Sequence, residues 1–219
     1  MSHRSPLGGS ELFYRFIRGV LYIGYRLLFR FRYFGSERVP QADGRGVILA
    51  PNHASYLDPP ILGISLKRRV TYLAKQYLFD HGFVGWVLRN IGAYPIKSES
   101  TNDFRSIRDL IRILKQGACV VVFPEGTRSE DGNFKEPEGG IGFLAVKSGA
   151  WVVPVYIEGS FKALPKGAPK PRYGTPIGVH YGEAFIPAEK GEGSSEDHYL
   201  AVSRHIMSEI KKLKESLTA

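Results

Sequence analysis

Short apolar runs alternate with helical patterns along most of the chain, and this alternation restricts the fold more than any other feature. The apolar runs predict buried strands at 46–50, 70–74, 93–96, 118–123 and 152–157. Helical patterns separate or follow them, at 59–66, 83–89, 103–115, 140–148 and 202–217. Exposed loops rich in Pro, Gly, Ser and Lys are predicted at 161–173 and 187–197. Strands that alternate with helices predict an α/β fold with a largely parallel sheet flanked by helices.

The segment from Leu12 to Phe31 is aromatic and aliphatic, but four arginines interrupt it: Arg15, Arg18, Arg26 and Arg30. At about 100° per residue, these arginines fall within an arc of roughly 120°. The segment has no charge-free stretch of about 18 residues, as a spanning helix would need. Its internal arginines also do not fit a signal peptide. We predict that residues 1–34 form an amphipathic helix in the membrane interface, followed by an α/β domain over 35–219. Packing of this helix on its own domain is the alternative.

Charge and cysteine content narrow the classes of partner. The 30 Lys and Arg residues outnumber the 21 Asp and Glu residues, which gives a formal net charge of +9. Such a surface favours anionic lipid, phosphorylated substrates or nucleic acid. The basic residues are dispersed and form no recognised nucleic-acid motif, so we expect no nucleic-acid partner. Cys119, the single cysteine, lies in an apolar run and is predicted to be an inert buried thiol.

Polar residues follow the predicted strands, where sites form in open α/β sheets. After the first strand come His53 and Asp58. A histidine can act as a general base when a carboxylate orients its ring. An offset of five residues separates the two side chains on a helix, so they meet only if the chain turns between them. Two alternatives are a surface histidine in a loop and an aspartate that caps a helix starting at Pro59.

Three further segments follow the later strands. Gly92 to Lys97 ends in a cation that suits a phosphate. The turn from Phe123 to Ser129 carries a glycine that allows close backbone approach and an arginine that can grip a phosphate with two hydrogen bonds. An internal pair of Glu125 and Arg128 is the alternative there. Taken alone, the apolar pattern of the segment 152–160 predicts only a buried strand.

Together these segments resemble the glycerolipid acyltransferase family, and within it the lysophosphatidic-acid (1-acylglycerol-3-phosphate) acyltransferases. The family motif Asn-His-x-x-x-x-Asp is matched at 52–58, and Phe-Pro-Glu-Gly-Thr-Arg-Ser is matched at 123–129. A glycine followed by a basic residue after a short strand is matched at 92–97, with Lys97 where the family more often has arginine. A Val-Pro-Val-x-Ile strand is matched at 153–157. Lys75 stands where many members carry an Ala-Lys pair.

The resemblance implies transfer of a fatty-acyl group to the free hydroxyl of a lysophospholipid, most directly lysophosphatidic acid. The donor would be the thioester of acyl-CoA or of acyl carrier protein, with no other cofactor and no metal. His53 would be the general base and Asp58 its support. The implied substrate-binding residues are Glu125, Gly126, Thr127, Arg128, Lys97 and Lys75. Amides of the turn at 126–127 are candidate donors to the oxyanion.

The expected location is the cytoplasmic face of a membrane, with peripheral or monotopic association at an anionic surface. Three alternatives stay open: a different lysolipid acceptor, a non-catalytic lipid-binding protein, and metal-dependent hydrolysis through His53, Asp58 and Glu125.

Overall fold

The structure is a computed structural model that describes residues 11–41, 44–96, 104–189 and 194–217. Its helices are α1 Glu11–Phe29, α2 Asp58–Ser65, α3 Gln76–Asp80, α4 Gly82–Ile91, α5 Phe104–Lys115, α6 Gly139–Ser148, α7 Ser160–Ala163 and α8 Ser195–Glu215. Its strands are β1 Arg32–Phe34, β2 Val47–Pro51, β3 Leu73–Lys75, β4 Tyr94–Ile96, β5 Cys119–Val121, β6 Trp151–Glu158 and β7 Gly178–Tyr181.

The main sheet has the strand order β1-β7-β6-β2-β5. Its neighbours pair in parallel except for β6 and β7, which are antiparallel, and β3 and β4 form a separate parallel pair. The predicted α/β fold with a largely parallel sheet is therefore confirmed. The sequence pattern does not predict β1 and β7. Because β2, β5 and β6 run in parallel, the residues that follow them meet at one edge of the sheet.

Helices cover both faces of the sheet, and the side chains of β2 show how. Val47 and Leu49 enter one buried cluster together with residues of α1 and α2, whereas Ile48 and Ala50 enter a second cluster with residues of α5, α6 and α8. This alternation is the two-residue period of a strand buried on both sides. Cys119 is buried in the first cluster, as predicted, and burial raises the pKa of its thiol to about 11.

Helix α1 confirms the predicted N-terminal helix, and it packs on α2 and α4. Tyr14, Tyr25 and Phe29 are buried on its inner side. Its opposite side exposes a line of apolar residues: Leu12, Phe16, Val20, Ile23 and Leu27. The next strand, β1, joins the main sheet beside β7. The helix thus packs on its own domain and also carries a second apolar side that faces outward. Among the residues described, no helix is both long and apolar enough to cross a membrane.

Candidate functional site

Asn52, directly after β2, ties the end of that strand to β6. Its amide Nδ2 donates to the carbonyl oxygen of Ile157 at 3.2 Å, and the backbone N–H of Ile157 donates to the Asn52 Oδ1 at 2.7 Å. One side chain thereby satisfies a buried donor and a buried acceptor of the neighbouring strand. The position of His53 is therefore coupled to two central strands.

His53 and Asp58 meet because the chain turns back between them. The His53 Nδ1 lies 2.8 Å from the Asp58 Oδ2, and the same oxygen accepts the backbone N–H groups of Ala54 and Ser55, each at 2.8 Å. The carboxylate thus points back into the loop that carries the histidine instead of capping α2, so the alternative of a simple helix cap is wrong. Asp58 is fully buried. Its other oxygen, Oδ1, has no hydrogen-bond partner among the described residues.

The imidazole of His53 is held on a second side by Phe123. The two rings stack with centroids 3.7 Å apart and planes inclined by 18°. A carboxylate only accepts hydrogen bonds, so the His53 Nδ1 carries the hydrogen that it donates to Asp58. The Nε2 atom is then the ring nitrogen left to take a proton from another molecule. This is the arrangement of an oriented general base.

Glu125 supports the histidine through the backbone. One of its carboxylate oxygens accepts the N–H of His53 and the other accepts the N–H of Lys135, both at 2.9 Å. Its side chain is buried, which raises the pKa of the carboxyl group, whereas the two backbone hydrogen bonds oppose that rise. Both oxygens therefore serve the protein's own backbone in this structure.

The turn after Glu125 is closed by its own hydrogen bonds. Gly126 has φ of +67°, and a side chain there would run into the carboxylate of Glu138. The backbone N–H groups of Gly126 and Thr127 donate to the carbonyls of Phe123 and Glu125, so the amides expected as oxyanion donors are engaged here. The Thr127 hydroxyl accepts a hydrogen bond from the Lys135 ammonium at 2.7 Å.

A cavity of about 530 Å³ opens beside the histidine. His53, Lys75 and Arg128 line it, whereas Glu125, Gly126 and Thr127 are absent from its walls. Most of its remaining lining is apolar or aromatic and comes from four helices and β3, including Ile17, Pro59, Ile64, Leu73, Leu78 and Leu88, with Tyr56 added from the turn before α2. The sixth predicted binding residue, Lys97, lies outside the described residues.

Arg128 is oriented by Tyr56, for which the sequence motifs imply no role. The guanidinium carbon lies 3.5 Å from the centre of the tyrosine ring. One guanidinium nitrogen, Nη1, is buried without a hydrogen-bond partner among the residues described. The sequence offered one signal for Tyr56, namely its position between His53 and Asp58.

Metal-dependent hydrolysis would need a cluster of ligands. Within the described ranges, no group of three or more His, Cys, Asp and Glu side chains is placed to hold a metal ion. The Asp58 Oδ2 and both Glu125 oxygens accept hydrogen bonds from His53 and from the backbone, so the buried Asp58 Oδ1 is the one oxygen of these two carboxylates without a partner among the described residues.

The chain is similar to known proteins in sequence. A family model described as Acyltransferase matches residues 30–158. The 1-acyl-sn-glycerol-3-phosphate acyltransferase of Bacillus subtilis is 31% identical over 210 residues, which cover 93% of this chain and 98% of that protein. A chloroplastic 1-acyl-sn-glycerol-3-phosphate acyltransferase of Arabidopsis thaliana is 33% identical over 135 residues, but the match covers 37% of its length and 61% of this chain.

A solved structure extends the similarity to the fold. The crystal structure of the 1-acyl-sn-glycerophosphate acyltransferase from Thermotoga maritima superposes with a TM-score of 0.70 at 29% identity, over 96% of this chain and 86% of that one. The family model spans more than half of the chain, and the Bacillus subtilis relative matches over nearly its whole length. The chain belongs to the Acyltransferase family.

Proposed function

We propose that this protein transfers a fatty-acyl group from a thioester to the free hydroxyl of 1-acyl-glycerol-3-phosphate, which yields phosphatidic acid. The observation that carries the proposal is that His53, which is paired with the buried Asp58, lies on the wall of a cavity that is otherwise apolar and basic. A lysophospholipid has the complementary chemistry, because it joins an acyl chain to an anionic headgroup. The relatives named as 1-acylglycerol-3-phosphate acyltransferases support the choice of acceptor.

In the proposed reaction, the His53 Nε2 accepts the proton of the acceptor hydroxyl while the oxygen attacks the thioester carbonyl. The tetrahedral intermediate collapses to the new ester and expels the thiolate, which takes the proton back from the imidazolium. Asp58 stabilises the imidazolium and holds its orientation. Acyl-CoA or acyl carrier protein supplies the thioester, and the reaction uses no further cofactor. Arg128 and Lys75 bind the acceptor phosphate, and Lys97 adds a third charge as the family resemblance implies.

Membrane association is part of the proposal, because the acceptor resides in a membrane. The outward side of α1 is supported by aromatic residues of α4: Phe83 is 78% exposed, and Trp86 packs edge-on against Phe13 of α1 with ring centroids 4.9 Å apart. Exposed aromatic and aliphatic residues on neighbouring helices are typical of a membrane-interface surface. The same two helices line the cavity.

The first test is direct. Purified protein is incubated with labelled acyl-CoA or labelled acyl carrier protein and with a panel of lysolipids that includes a phosphate-free monoacylglycerol. We expect the highest kcat/KM with lysophosphatidic acid. Preference for a different lysolipid would identify another acceptor, and binding of lysolipid without any transfer would indicate a lipid-binding protein.

The second test concerns the base. His53→Ala should lower kcat by roughly 10²–10⁴-fold, the usual contribution of a general base. Asp58→Asn isolates the charge, because the amide oxygen can still accept the three N–H groups that Asp58 Oδ2 accepts. We expect Asp58→Asn to lower kcat by several orders of magnitude while circular dichroism shows a native fold. Near-normal kcat in a folded His53→Ala variant would remove His53 from the mechanism.

A further inference from the structure

One of the four N-terminal arginines differs from the others in its surroundings. Arg15, Arg26 and Arg30 are exposed, whereas Arg18 is half-buried and lines the cavity that contains His53. On a helix, Arg18 lies within roughly 40° of both Tyr14 and Tyr25, so it shares the side that packs on the domain. The four arginines thus lie on two surfaces of the molecule: Arg18 is on the side of α1 that packs on the domain, and the other three are exposed to solvent.

The side chain of Arg18 has unused hydrogen-bonding capacity. Its Nε atom is buried and has no hydrogen-bond partner among the described residues. A buried donor without a partner is costly, and an oxygen atom of a bound ligand would remove that cost. The hydroxyl of the neighbouring Tyr14 is held by the backbone N–H of Val70, from which it accepts a hydrogen bond at 3.2 Å, and it does not pair with the Arg18 Nε in this structure.

The charge of the cavity indicates which kind of ligand group would supply this oxygen atom. Its lining contains Arg18, Lys75 and Arg128, and no aspartate or glutamate of the described residues contributes to it. Guanidinium groups match the oxygens of a phosphate with two parallel hydrogen bonds. A phosphomonoester carries between one and two negative charges near neutral pH and three accepting oxygens, so a second arginine has an oxygen to bind.

We infer that Arg18 binds the phosphate of the acceptor lipid, so that α1 forms one wall of the substrate site in addition to contacting the membrane. The inference rests on the proposed function, because it assigns a residue to the phosphate of that acceptor. Charge-assisted hydrogen bonds of this kind correspond to roughly 10- to 100-fold in affinity. Loss of the side chain should therefore weaken acceptor binding without changing the chemistry at His53.

The experiment compares Arg18→Gln with Arg15→Gln, which removes the same charge from the same helix at an exposed position. Lysophosphatidic acid is supplied as dispersed monomers, so that attraction to vesicles does not contribute. Arg18→Gln should raise KM for lysophosphatidic acid by 10- to 100-fold. It should leave KM for the thioester and turnover of monoacylglycerol close to those of the unaltered protein. Arg15→Gln should leave all three unchanged, and Arg18→Lys should recover part of the acceptor affinity.

Several outcomes would overturn the inference. Equal effects of Arg18→Gln and Arg15→Gln would mean that only the overall charge of α1 matters. A rise confined to KM for the thioester would assign the side chain to a phosphate of the donor. If thermal melting shows that Arg18→Gln is unfolded, Arg18→Lys decides, because an acceptor KM equal to that of the unaltered protein in Arg18→Lys would contradict binding of the phosphate by the guanidinium group. Failure of the unaltered protein to acylate lysophosphatidic acid would instead refute the proposed function.

Discussion

Arg128 shows how a single aromatic side chain can prepare a binding group. Because its guanidinium lies over the ring of Tyr56 at 3.5 Å, its hydrogen-bond donors are directed outward in the plane of the group. Tyr56→Leu removes the ring, and a cation–π contact contributes about 0.5–2 kcal/mol. We therefore expect KM for lysophosphatidic acid to rise by roughly 2- to 30-fold. Steady-state kinetics with both substrates would measure it.

Tyr56→Phe is the matched control, because it keeps the ring and removes only the hydroxyl. It should retain an acceptor KM close to that of the unaltered protein. A loss of equal size in both variants would mean that the hydroxyl, and not the ring, supports Arg128.

The two carboxylates of the site illustrate what could be predicted from residues alone. Asp58 was expected beside His53, and the structure brings the two together through a turn whose geometry the five-residue offset only permits. The family resemblance implies that Glu125 and Arg128, which share one short turn, both bind the substrate. The structure separates them, since the turn directs Glu125 inward to two backbone N–H groups and Arg128 toward the cavity. Spacing in sequence does not distinguish these directions.

Among the strands, the junction of β2 and β6 depends on Asn52. Asn52→Ala leaves the buried N–H and C=O of Ile157 without the partners they have now. Each unsatisfied buried group costs about 1–3 kcal/mol, so with two such groups the free energy of unfolding should fall by about 2–6 kcal/mol. Urea denaturation would measure the loss. Because His53 follows Asn52 directly, kcat should also decrease.

Asn52→Asp keeps the oxygen that accepts the Ile157 N–H, but its second oxygen cannot donate to the Ile157 carbonyl while the carboxylate is ionised, so this variant should also be less stable than the unaltered protein. If Asn52→Ala is as stable as the unaltered protein, the two hydrogen bonds between the Asn52 side chain and Ile157 are dispensable for stability.

The strands β2 and β6 could be predicted from the sequence and the strands β1 and β7 could not, for a physical reason. β2 and β6 are continuous apolar runs because they are buried on both faces. β1 has three residues that are all exposed, and β7 has four residues, so neither provides a long hydrophobic pattern. Their pairing joins residues about 146 positions apart, Arg32 with Gly178 for example, and such non-local contacts leave no trace in local sequence.

For the whole molecule, the decisive feature is that α1 has two apolar sides. The inner side and the adjoining segment bury Tyr14, Tyr25, Phe29 and Phe31. Removal of residues 1–34 would therefore delete part of the core and the edge strand β1 together. Such a truncation cannot separate membrane contact from folding. Substitutions on the outer side can, because those side chains are not packed in the core.

The outer side of α1 offers the sharper experiment. Leu12, Phe16 and Leu27 are 79%, 66% and 78% exposed, and they lie along about 22 Å of helix. Burial of a leucine or phenylalanine side chain contributes about 1.5–3 kcal/mol. The double substitution Phe16→Ser and Leu27→Ser should therefore weaken binding to anionic vesicles at least about tenfold. Thermal melting should stay close to that of the unaltered protein.

The activity of this double variant should fall on acceptor held in vesicles and persist on dispersed acceptor. Vesicle sedimentation at two salt concentrations distinguishes the contributions to binding. Salt should weaken the attraction of the exposed arginines Arg15 and Arg26 for anionic lipid, but it does not screen apolar burial. The salt-resistant part of the binding should therefore be the part that the double variant loses. Unchanged sedimentation would show that the membrane contacts another surface, and early melting would show that the outer residues pack within the fold.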